Sequence, residues 1–432
     1  MFHFLLLCLF FLYFVSKQFL SKPKPIYLVD FSCLKPQSSL RVPVSKFVKN
    51  ASMIDAFDSE SIGFMVKVLT SSGISGESCL PPAIHYIPPK THQQEAIKEV
   101  EMVLFPIMDD LFRKTKLSPL DVDILIVNCS AFCPSPSLSS IVINKYSMRS
   151  DIKSYNISGM GCSASALCID LACNLLKVHH NSNSIILSTE ILSNGWYAGN
   201  ERSKLLFNCI FRMGSAAILL TNRTGAKYSS KYRLIKTLRT QRAFEDKGYF
   251  SAFREEDYNG KLGVTVKMKD FIQVVGEILR TNISILGSEI LPFSEKFWYR
   301  VSVMKKRFIN KAEGIYVPNF KTVIQHFCLP SSGRALIREI GKSLKLSERD
   351  MEPALMTLHR FGNQSSSSLR YELAYLEAKE RVQKGDKIWL LGIGTGPKCT
   401  SVVLESVRPI VGESSKGPWD DCIHQYPIEV ED

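Results

Sequence analysis

The amino-acid sequence predicts an α/β fold in which helices cover the faces of a sheet. Short runs of continuous apolar character, at Asp123–Asn128, Ser184–Ser188 and Ala216–Leu220, are typical of strands that are buried on both faces. Longer stretches with helical periodicity separate these runs, and a second set of alternating elements follows in the C-terminal half. The 432 residues suffice for one large domain or two fused ones with a sizeable core.

The chain begins with an apolar segment that predicts a membrane anchor over residues 1–20. The run Phe4–Val15 has no charge but is shorter than the roughly 17 to 25 residues of a spanning helix, unless Ser16–Leu20 extend it. A cleaved signal peptide is the alternative, but no basic residue precedes the apolar run and no small-x-small cleavage site follows it. Because lysines follow at positions 17, 22 and 24, we expect the remainder of the chain to face the cytosol.

The next elements lead to the segment on which the functional prediction depends. Tyr27–Asp30 is typical of a strand, and the patterns over Asp55–Leu69 and Glu95–Arg113 predict helices. Prolines at positions 81, 82, 88 and 89 indicate a loop that would border a substrate entrance.

Cys162 is the candidate nucleophile. It follows Gly161 and precedes small residues that continue into one apolar helix face, so we expect it in a tight turn at a helix N-terminus. There the helix dipole would lower the pKa of the thiol, and the thiolate could accept an acyl group as a thioester. A structural cysteine in a buried helix cap explains the local pattern equally well.

The C-terminal half contains a similar series of predicted elements. Glu295–Arg307 is a charged, aromatic-bearing insert that the pattern does not assign, and residues 412–432 are typical of a polar surface tail. The predicted helices are Val264–Leu286 and Gly333–Leu344, and the predicted strands are Thr322–His326, Lys387–Gly392 and Ser401–Leu404.

A weak internal repeat links the two halves. Gly161–Leu167 and Gly362–Leu369 each place a glycine, a polar residue and small residues ahead of a helix. Two similar halves would bring Cys162 and Asn363 to matching helix starts that face one cleft. Chance similarity between serine-rich and glycine-rich caps is the alternative.

Composition narrows the classes of partner. The net charge of +13, from 54 basic and 41 acidic residues, suits a membrane surface or the phosphates of coenzyme A. No basic run with interleaved aromatic residues is present, so we do not expect a nucleic-acid partner. The twelve cysteines show no CxxC pair and no zinc-like spacing, which predicts reduced thiols and no metal site.

Several longer motifs resemble those of the plant 3-ketoacyl-CoA synthases, the condensing enzymes of very-long-chain fatty acid elongation. The resemblance extends from about Tyr27 to Tyr426. The motifs that carry it are Ala83–Pro88, Asn156–Ala166, Ser188–Glu190 with Trp196 and Tyr197, Asn208–Gly214, His326–Cys328, Thr357–Asn363 with its serine run, and Gly394–Cys399. The resemblance implies a thiolase-like fold of two similar βαβαβαββ-type halves in α/β/α/β/α layers, over residues 25–227 and 228–407, with a polar tail over 408–432.

The resemblance also implies a mechanism and its residues. Cys162 would accept a long acyl chain from acyl-CoA, and the enolate formed by decarboxylation of malonyl-CoA would attack the thioester. Asn363 matches the asparagine that stabilises the enolate oxygen, a task that suits an amide donor. His326 and His359 match two further histidines of the motif, although buried histidines that bond to backbone are the alternative. Gly394 and Gly396 would let a backbone N–H approach the reacting oxygen.

Partners and location are likewise implied by the resemblance. The substrates would be acyl-CoA and malonyl-CoA with no further cofactor, and Arg212 and Lys398 are candidates for binding coenzyme A. A homodimer, an association with other elongase subunits and a location in the endoplasmic reticulum membrane, with the catalytic part facing the cytosol, are expected.

Two positions depart from the family pattern. The catalytic histidine of the family falls four residues after His326, where this chain has Pro330, and another histidine is replaced by Gln241. Proline has neither an imidazole nor a backbone N–H.

Three hypotheses follow: an active condensing enzyme in which His326 takes the empty role, a catalytically weak homologue that binds and regulates active elongase subunits, and a soluble polyketide-type condensing enzyme. The apolar N-terminus counts against the third.

Overall fold

The computed structural model describes residues 24–309 and 315–429, and the predicted anchor over residues 1–20 lies outside them. The cysteines within the described residues are all free, which agrees with the expectation of reduced thiols. The stretch Gly161–Val178 is the one described segment that is long and apolar enough to span a membrane, but 61% of it is buried inside the protein.

One nine-stranded mixed sheet organises the structure. Its strand order is β3-β2-β4-β5-β1-β6-β11-β10-β9, and β7 and β8 form a separate hairpin. The strands are β1 (Tyr27–Cys33), β2 (Ile124–Asn128), β3 (Lys153–Ile157), β4 (Asn183–Thr189), β5 (Ser215–Thr221), β6 (Tyr232–Gln241), β7 (Ala252–Glu256), β8 (Leu262–Val266), β9 (His326–Cys328), β10 (Lys387–Gly394) and β11 (Lys398–Ser406). The central strands β2, β4 and β5 are buried along their whole length, as their continuous apolar sequences predict.

Helices cover this sheet. The described helices are α1 (Val44–Ser52), α2 (Ser59–Ser72), α3 (Gln93–Thr115), α4 (Leu138–Tyr146), α5 (Ala164–Val178), α6 (Arg202–Ile210), α7 (Asp246–Tyr249), α8 (Met268–Ile290), α9 (Phe293–Phe308), α10 (Arg334–Leu344), α11 (Glu348–Phe361) and α12 (Ser368–Ala378). The side chain of Asp58 accepts a hydrogen bond from the amide of Ser61, which explains why α2 begins after Asp58 and not at Asp55.

The internal repeat is visible in the strand topology. In the first half, β2 and β4 are parallel, β4 and β5 antiparallel, and β5 and β1 antiparallel. In the second half, β9 and β10 are parallel, β10 and β11 antiparallel, and β11 and β6 antiparallel. Strands β1 and β6 join the halves by a short antiparallel pairing. The two halves therefore share one plan, as the resemblance implied.

Helix α5 connects the two halves through its packing. It contacts β2 and β4 of the first half and also β6, β10 and β11 of the second. Residues such as Ala166, Cys168 and Ala172 are fully buried there. The small side chains bring the helix close to both parts of the sheet, so the residues at its N-terminus lie where the halves meet.

Two predicted elements are wrong. The predicted strand Thr322–His326 begins with a 3₁₀ turn at Phe320–Thr322, and pairing with β10 starts only at His326. The predicted polar tail packs into the core, because Trp419 is fully buried and its Nε1 donates to the carbonyl of Tyr371 at 2.9 Å. A few large aromatic side chains thus outweigh the polar composition of this segment.

Candidate active site

Cys162 lies in a 3₁₀ turn, Gly161–Ser163, directly before α5, as predicted. Gly161 has a φ of +60°, and a Cβ at this position would lie 2.5 Å from the amide nitrogen of Thr395. A Cβ on Gly394 would lie 2.4 Å from the carbonyl oxygen of Met160. Glycine at both positions therefore permits the end of β10 to pack directly against the turn that carries Cys162.

Cys162 and Asn363 line the same small cavity. Its volume is about 10 Å³, which is enough for about one water molecule. Pro330 and four serines also line it, and the serines are Ser331, Ser332, Ser365 and Ser368. Among the described residues of this lining, the thiol of Cys162 is the one titratable side chain. A cavity of this size can hold a few atoms next to the thiol and is too small for a long acyl chain.

Asn363 is held by backbone contacts from both sides. Its carbonyl accepts a hydrogen bond from the amide of Arg212 at 2.9 Å, and its Oδ1 accepts one from the amide of Ser365 at 2.8 Å. The second bond uses the amide oxygen, so the NH₂ end of the side chain is the end that can donate to a ligand. This is the orientation that an enolate oxygen requires.

The repeat brings the two helix starts together, but the residues do not match one to one. Cys162 is the second residue of its 3₁₀ turn, and the corresponding turn before α12 is Ser365–Ser367, whose second residue is Ser366. Asn363 precedes that turn by two positions. The predicted equivalence of Cys162 and Asn363 is therefore wrong in register, although both face one cavity.

The environment of Cys162 does not lower the pKa of its thiol. Burial, together with the negative charge of Glu190, raises the pKa to about 11, although hydrogen bonding from Ser365 and Ser332 acts in the opposite direction. The prediction of a lowered thiol pKa at the start of the helix is thus wrong. Desolvation of the charged sulfur outweighs the favourable partial charge at the start of α5.

A buried carboxylate network, which the sequence did not predict, lies behind the cysteine. Oε1 of Glu190 accepts hydrogen bonds from the amides of Ser130 and Ala131 at 3.1 and 2.7 Å. The hydroxyl of Ser365 lies 3.1 Å from Oε2 of Glu190 and 3.6 Å from the sulfur of Cys162. Burial raises the pKa of Glu190. The one signal in the sequence was a carboxylate directly after the apolar run of β4.

Pro330, which the resemblance aligns with a histidine, lies in the wall of the cavity. The segment around it is fixed by Glu372, whose carboxylate accepts hydrogen bonds from the amide of Leu329 at 2.7 Å and the hydroxyl of Ser331 at 2.6 Å. Burial raises the pKa of Glu372 to about 8. Pro330 therefore gives this part of the cavity wall neither an imidazole nor a backbone N–H donor.

His326 is not at the cavity, contrary to the prediction. It begins β9, and its Nε2 lies 2.9 Å from Oδ2 of Asp386. This contact is an ion pair when the imidazole is protonated and a hydrogen bond when it is neutral. The cavity lining does not include His326, whose side chain instead contacts Asp386. The hypothesis that His326 takes the empty catalytic role therefore has no support from its position.

His359 is also not among the residues that line the cavity. It lies on α11, where its Nδ1 is 3.1 Å from the hydroxyl of Tyr426 and its carbonyl accepts from the amide of Ser75. Burial lowers its pKa, and the charges of Arg334 and Arg360 lower it further. A neutral histidine that fixes the C-terminal segment explains these contacts.

The other predicted residues lie at the edge of the site. Gly396 is in the turn between β10 and β11, and the ammonium of Lys398 donates to its carbonyl at 2.9 Å. Gln241 is exposed at the end of β6, opposite Lys398. Arg212 is buried and donates to Ser78 and to the carbonyl of Phe211, so it is not a surface cation for coenzyme A.

An open cleft of about 700 Å³ lies beside the turn of Cys162. Its lining includes Ser130, Cys133, Ser158, Gly159 and Arg254. The hydroxyl of Ser130 accepts a hydrogen bond from the amide of Gly161 at 2.9 Å. Ser130 therefore lines the cleft and also holds the turn that carries Cys162.

Comparison with known proteins identifies the family. The family model described as FAE1/Type III polyketide synthase-like protein matches residues 18–308. The model for the C-terminal part of 3-oxoacyl-[acyl-carrier-protein] synthase III matches residues 321–406. The chain is 48% identical to 3-ketoacyl-CoA synthase 6 of Arabidopsis thaliana over 422 residues, which cover 98% of this chain and 84% of that protein. It is also 48% identical to 3-ketoacyl-CoA synthase 5 of the same plant, over 95% of this chain and 83% of that protein.

Solved structures support the same fold. The chain is similar to the tetrahydroxynaphthalene synthase of Streptomyces coelicolor, a bacterial type III polyketide synthase, with a TM-score of 0.65 and 14% identity over 88% of this chain and 99% of that one. A mutant of CsyB gives a TM-score of 0.67 and 16% identity over 88% of this chain and 100% of that one. The fold is therefore thiolase-like, and the chain belongs to the plant 3-ketoacyl-CoA synthase family of condensing acyltransferases.

Proposed function

We propose that this protein condenses a long-chain or very-long-chain acyl-CoA with malonyl-CoA through an acyl thioester on Cys162. The thiol sulfur would attack the acyl carbonyl, and coenzyme A would leave with the proton. Loss of CO₂ from malonyl-CoA would then give an enolate, whose carbon attacks the thioester. This attack breaks the C–S bond and releases the sulfur of Cys162 as a thiolate, which takes a proton from solvent. The products are 3-ketoacyl-CoA and CO₂, in addition to the coenzyme A released in the first step.

The observation that carries this proposal is the shared cavity of Cys162 and Asn363. The amide NH₂ of Asn363 would donate to the enolate oxygen while the carbon attacks the acyl group on the sulfur. A cavity close to the size of one water also limits hydrolysis of the thioester by bulk solvent.

Pro330 favours a second candidate function. A side chain that donates a hydrogen bond to the enolate, or that transfers a proton, increases the rate by about 100- to 10,000-fold. Pro330 can do neither of these. A catalytically weak homologue that binds active elongase subunits and regulates them would keep the fold and the nucleophile while losing the second half-reaction.

One experiment separates these functions. The full chain would be incubated first with radiolabelled acyl-CoA alone and then with malonyl-CoA, and both protein-bound label and 3-ketoacyl-CoA would be measured. Labelled protein followed by product supports the condensing enzyme. Label that stays on the protein without product supports the weak homologue. If a Cys162→Ser variant acquires as much label as the unaltered chain, both proposals fail.

We also propose the location and assembly that the family resemblance implies. Residues 1–20 would anchor the protein in the endoplasmic reticulum membrane with the catalytic part in the cytosol. The partly exposed edge strand β3 would pair with a second copy to form a homodimer. Carbonate extraction of microsomes, protease protection and light scattering of the purified protein test these three points in turn.

A further inference from the structure

Helix α9 has its apolar face turned to solvent. None of its residues is buried. Phe293, Phe297, Met304 and Phe308 are between 47% and 75% exposed. Their spacing of four, seven and four residues places them on one face of the helix, which we call the apolar stripe of α9. Trp298 is 55% exposed, and its ring packs edge-on against Phe297 of the stripe with the ring centroids 5.6 Å apart.

The opposite face of α9 attaches the helix to the protein through polar contacts. Oε2 of Glu295 accepts from the hydroxyl of Tyr316 at 2.9 Å and from the amide of Asn319 at 2.8 Å. The hydroxyl of Ser302 accepts from the amide of Tyr316 at 3.0 Å. An ordinary surface helix packs its apolar face inward, whereas α9 is fixed by its polar face with the apolar stripe outward.

Cations flank the apolar stripe. Successive residues of a helix are rotated by about 100° around its axis. On this basis Arg300 and Arg307 lie on one side of the stripe and Lys305 on the other, each rotated by no more than about 90° from the centre of the stripe. Long basic side chains next to aromatic residues can reach phosphate groups while the aromatic rings enter an apolar phase. This pattern is complementary to an anionic lipid surface.

The start of the described chain lies on the same side of the molecule. Ile26 accepts a hydrogen bond from the amide of Leu234, and β1 runs antiparallel to β6, so the chain before Ile26 leads toward Lys236. The ammonium of Lys236 lies 2.7 Å from Glu289 in the last turn of α8, one short link before α9. The described chain therefore begins near the connection between α8 and α9.

We propose that α9 is an interfacial membrane helix whose apolar stripe enters the surface of an anionic phospholipid bilayer. Arg300, Lys305 and Arg307 bind the lipid phosphates. The helix adds a second membrane contact to the N-terminal segment and fixes the orientation of the domain on the bilayer. This inference does not depend on whether the protein condenses acyl-CoA.

Trp298 provides a direct test, because residues 1–20 contain no tryptophan and Trp389 and Trp419 are buried. The fourth tryptophan, Trp196, is partly buried and packs against Phe47 and Phe57, so its contribution remains as a background in the Trp298→Phe variant. The full chain would be reconstituted in vesicles of phosphatidylcholine and phosphatidylserine whose acyl chains carry bromine, which quenches nearby indoles. We expect quenching that disappears in a Trp298→Phe variant. The double variant Phe297→Ser with Phe308→Ser should reduce the quenching at least about twofold.

Controls separate the bilayer from other occupants of the same face. Tyr258→Ser, which changes an exposed aromatic residue on another surface, should leave the quenching unchanged. Vesicles of phosphatidylcholine alone should give weaker quenching if the cations bind phosphates of anionic lipid. Quenching by aqueous iodide without quenching by brominated lipid would overturn the proposal, and crosslinking of Trp298 to a second copy or to another protein would do the same.

Discussion

The hydroxyl of Ser365 lies 3.6 Å from the sulfur of Cys162 and 3.1 Å from Oε2 of Glu190. One hydroxyl thus lies between the candidate nucleophile and a buried carboxylate. After burial, Ser365 and Glu190 have the largest effects on the pKa of the thiol, and Ser332 has a smaller one.

The pH dependence of alkylation tests this environment. Because the thiol pKa is raised to about 11, the thiolate fraction should grow about tenfold per pH unit between about pH 7 and 9. We expect the rate of iodoacetamide modification at Cys162, followed by peptide mass spectrometry, to rise throughout that window. Glu190→Gln should increase the rate at each pH, since it removes a negative charge. A plateau below about pH 8 would contradict the raised pKa.

Restoring the imidazole should restore the second half-reaction. In Pro330→His, we expect formation of 3-ketoacyl-CoA to increase by about 100-fold or more, because a donor again faces the enolate. The control is Pro330→Ala, which removes the ring without adding an imidazole and should show no such gain. Equal, fast condensation by the unaltered chain and both variants would mean that another group fills the role.

Asn363 should act in decarboxylation and not in acyl transfer. We expect Asn363→Ala to slow release of CO₂ from malonyl-CoA by about 100- to 1,000-fold, since it removes a donor to the enolate. Labelling of Cys162 by acyl-CoA should change little. Gln241→Ala, which alters an exposed amide outside the cavity lining, is the matched control. Loss of acylation with unchanged decarboxylation would exclude the proposed role of Asn363.

His326 should matter for stability and not for catalysis. His326→Gln removes the partner of Asp386 and should lower the free energy of unfolding by about 1 kcal/mol. Acylation and condensation should stay unchanged, because the side chain lies at the far end of β9. Chemical denaturation and the two-step assay measure these effects, and a selective loss of condensation would return His326 to the active site.

The close packing of Gly394 against the cysteine turn predicts sensitivity to a single methyl group. In Gly394→Ala, the new Cβ would meet the carbonyl of Met160, so the turn must shift. We expect a loss of about 1 to 3 kcal/mol in the free energy of unfolding and slower acylation of Cys162. Gly276→Ala on α8 meets no atom within 4 Å, so it should leave acylation unchanged. It should raise the free energy of unfolding by about 0.5 to 1 kcal/mol, because alanine favours the helix more than glycine does.

Local patterns in the sequence determined most of the architecture. Continuous apolar runs identified β2, β4 and β5, because strands that are covered on both faces cannot alternate apolar and polar residues. The glycine and small residues around Cys162 identified the turn before α5, because these features depend on backbone sterics within a few residues. Motifs longer than any single element then identified the family.

Only the tertiary structure decided the chemistry of the site. The cavity joins residues about two hundred positions apart, so neither the contact of Ser365 with Cys162 nor the distance of His326 from it follows from local sequence. The sequence-based prediction of a lowered thiol pKa was wrong. Burial of the sulfur and its distance from Glu190 depend on side chains from separate strands and turns, which local sequence does not bring together. The orientation of α9 could also not be predicted from the sequence. Periodicity defines which residues share a helix face, but only packing decides whether that face points inward or toward solvent.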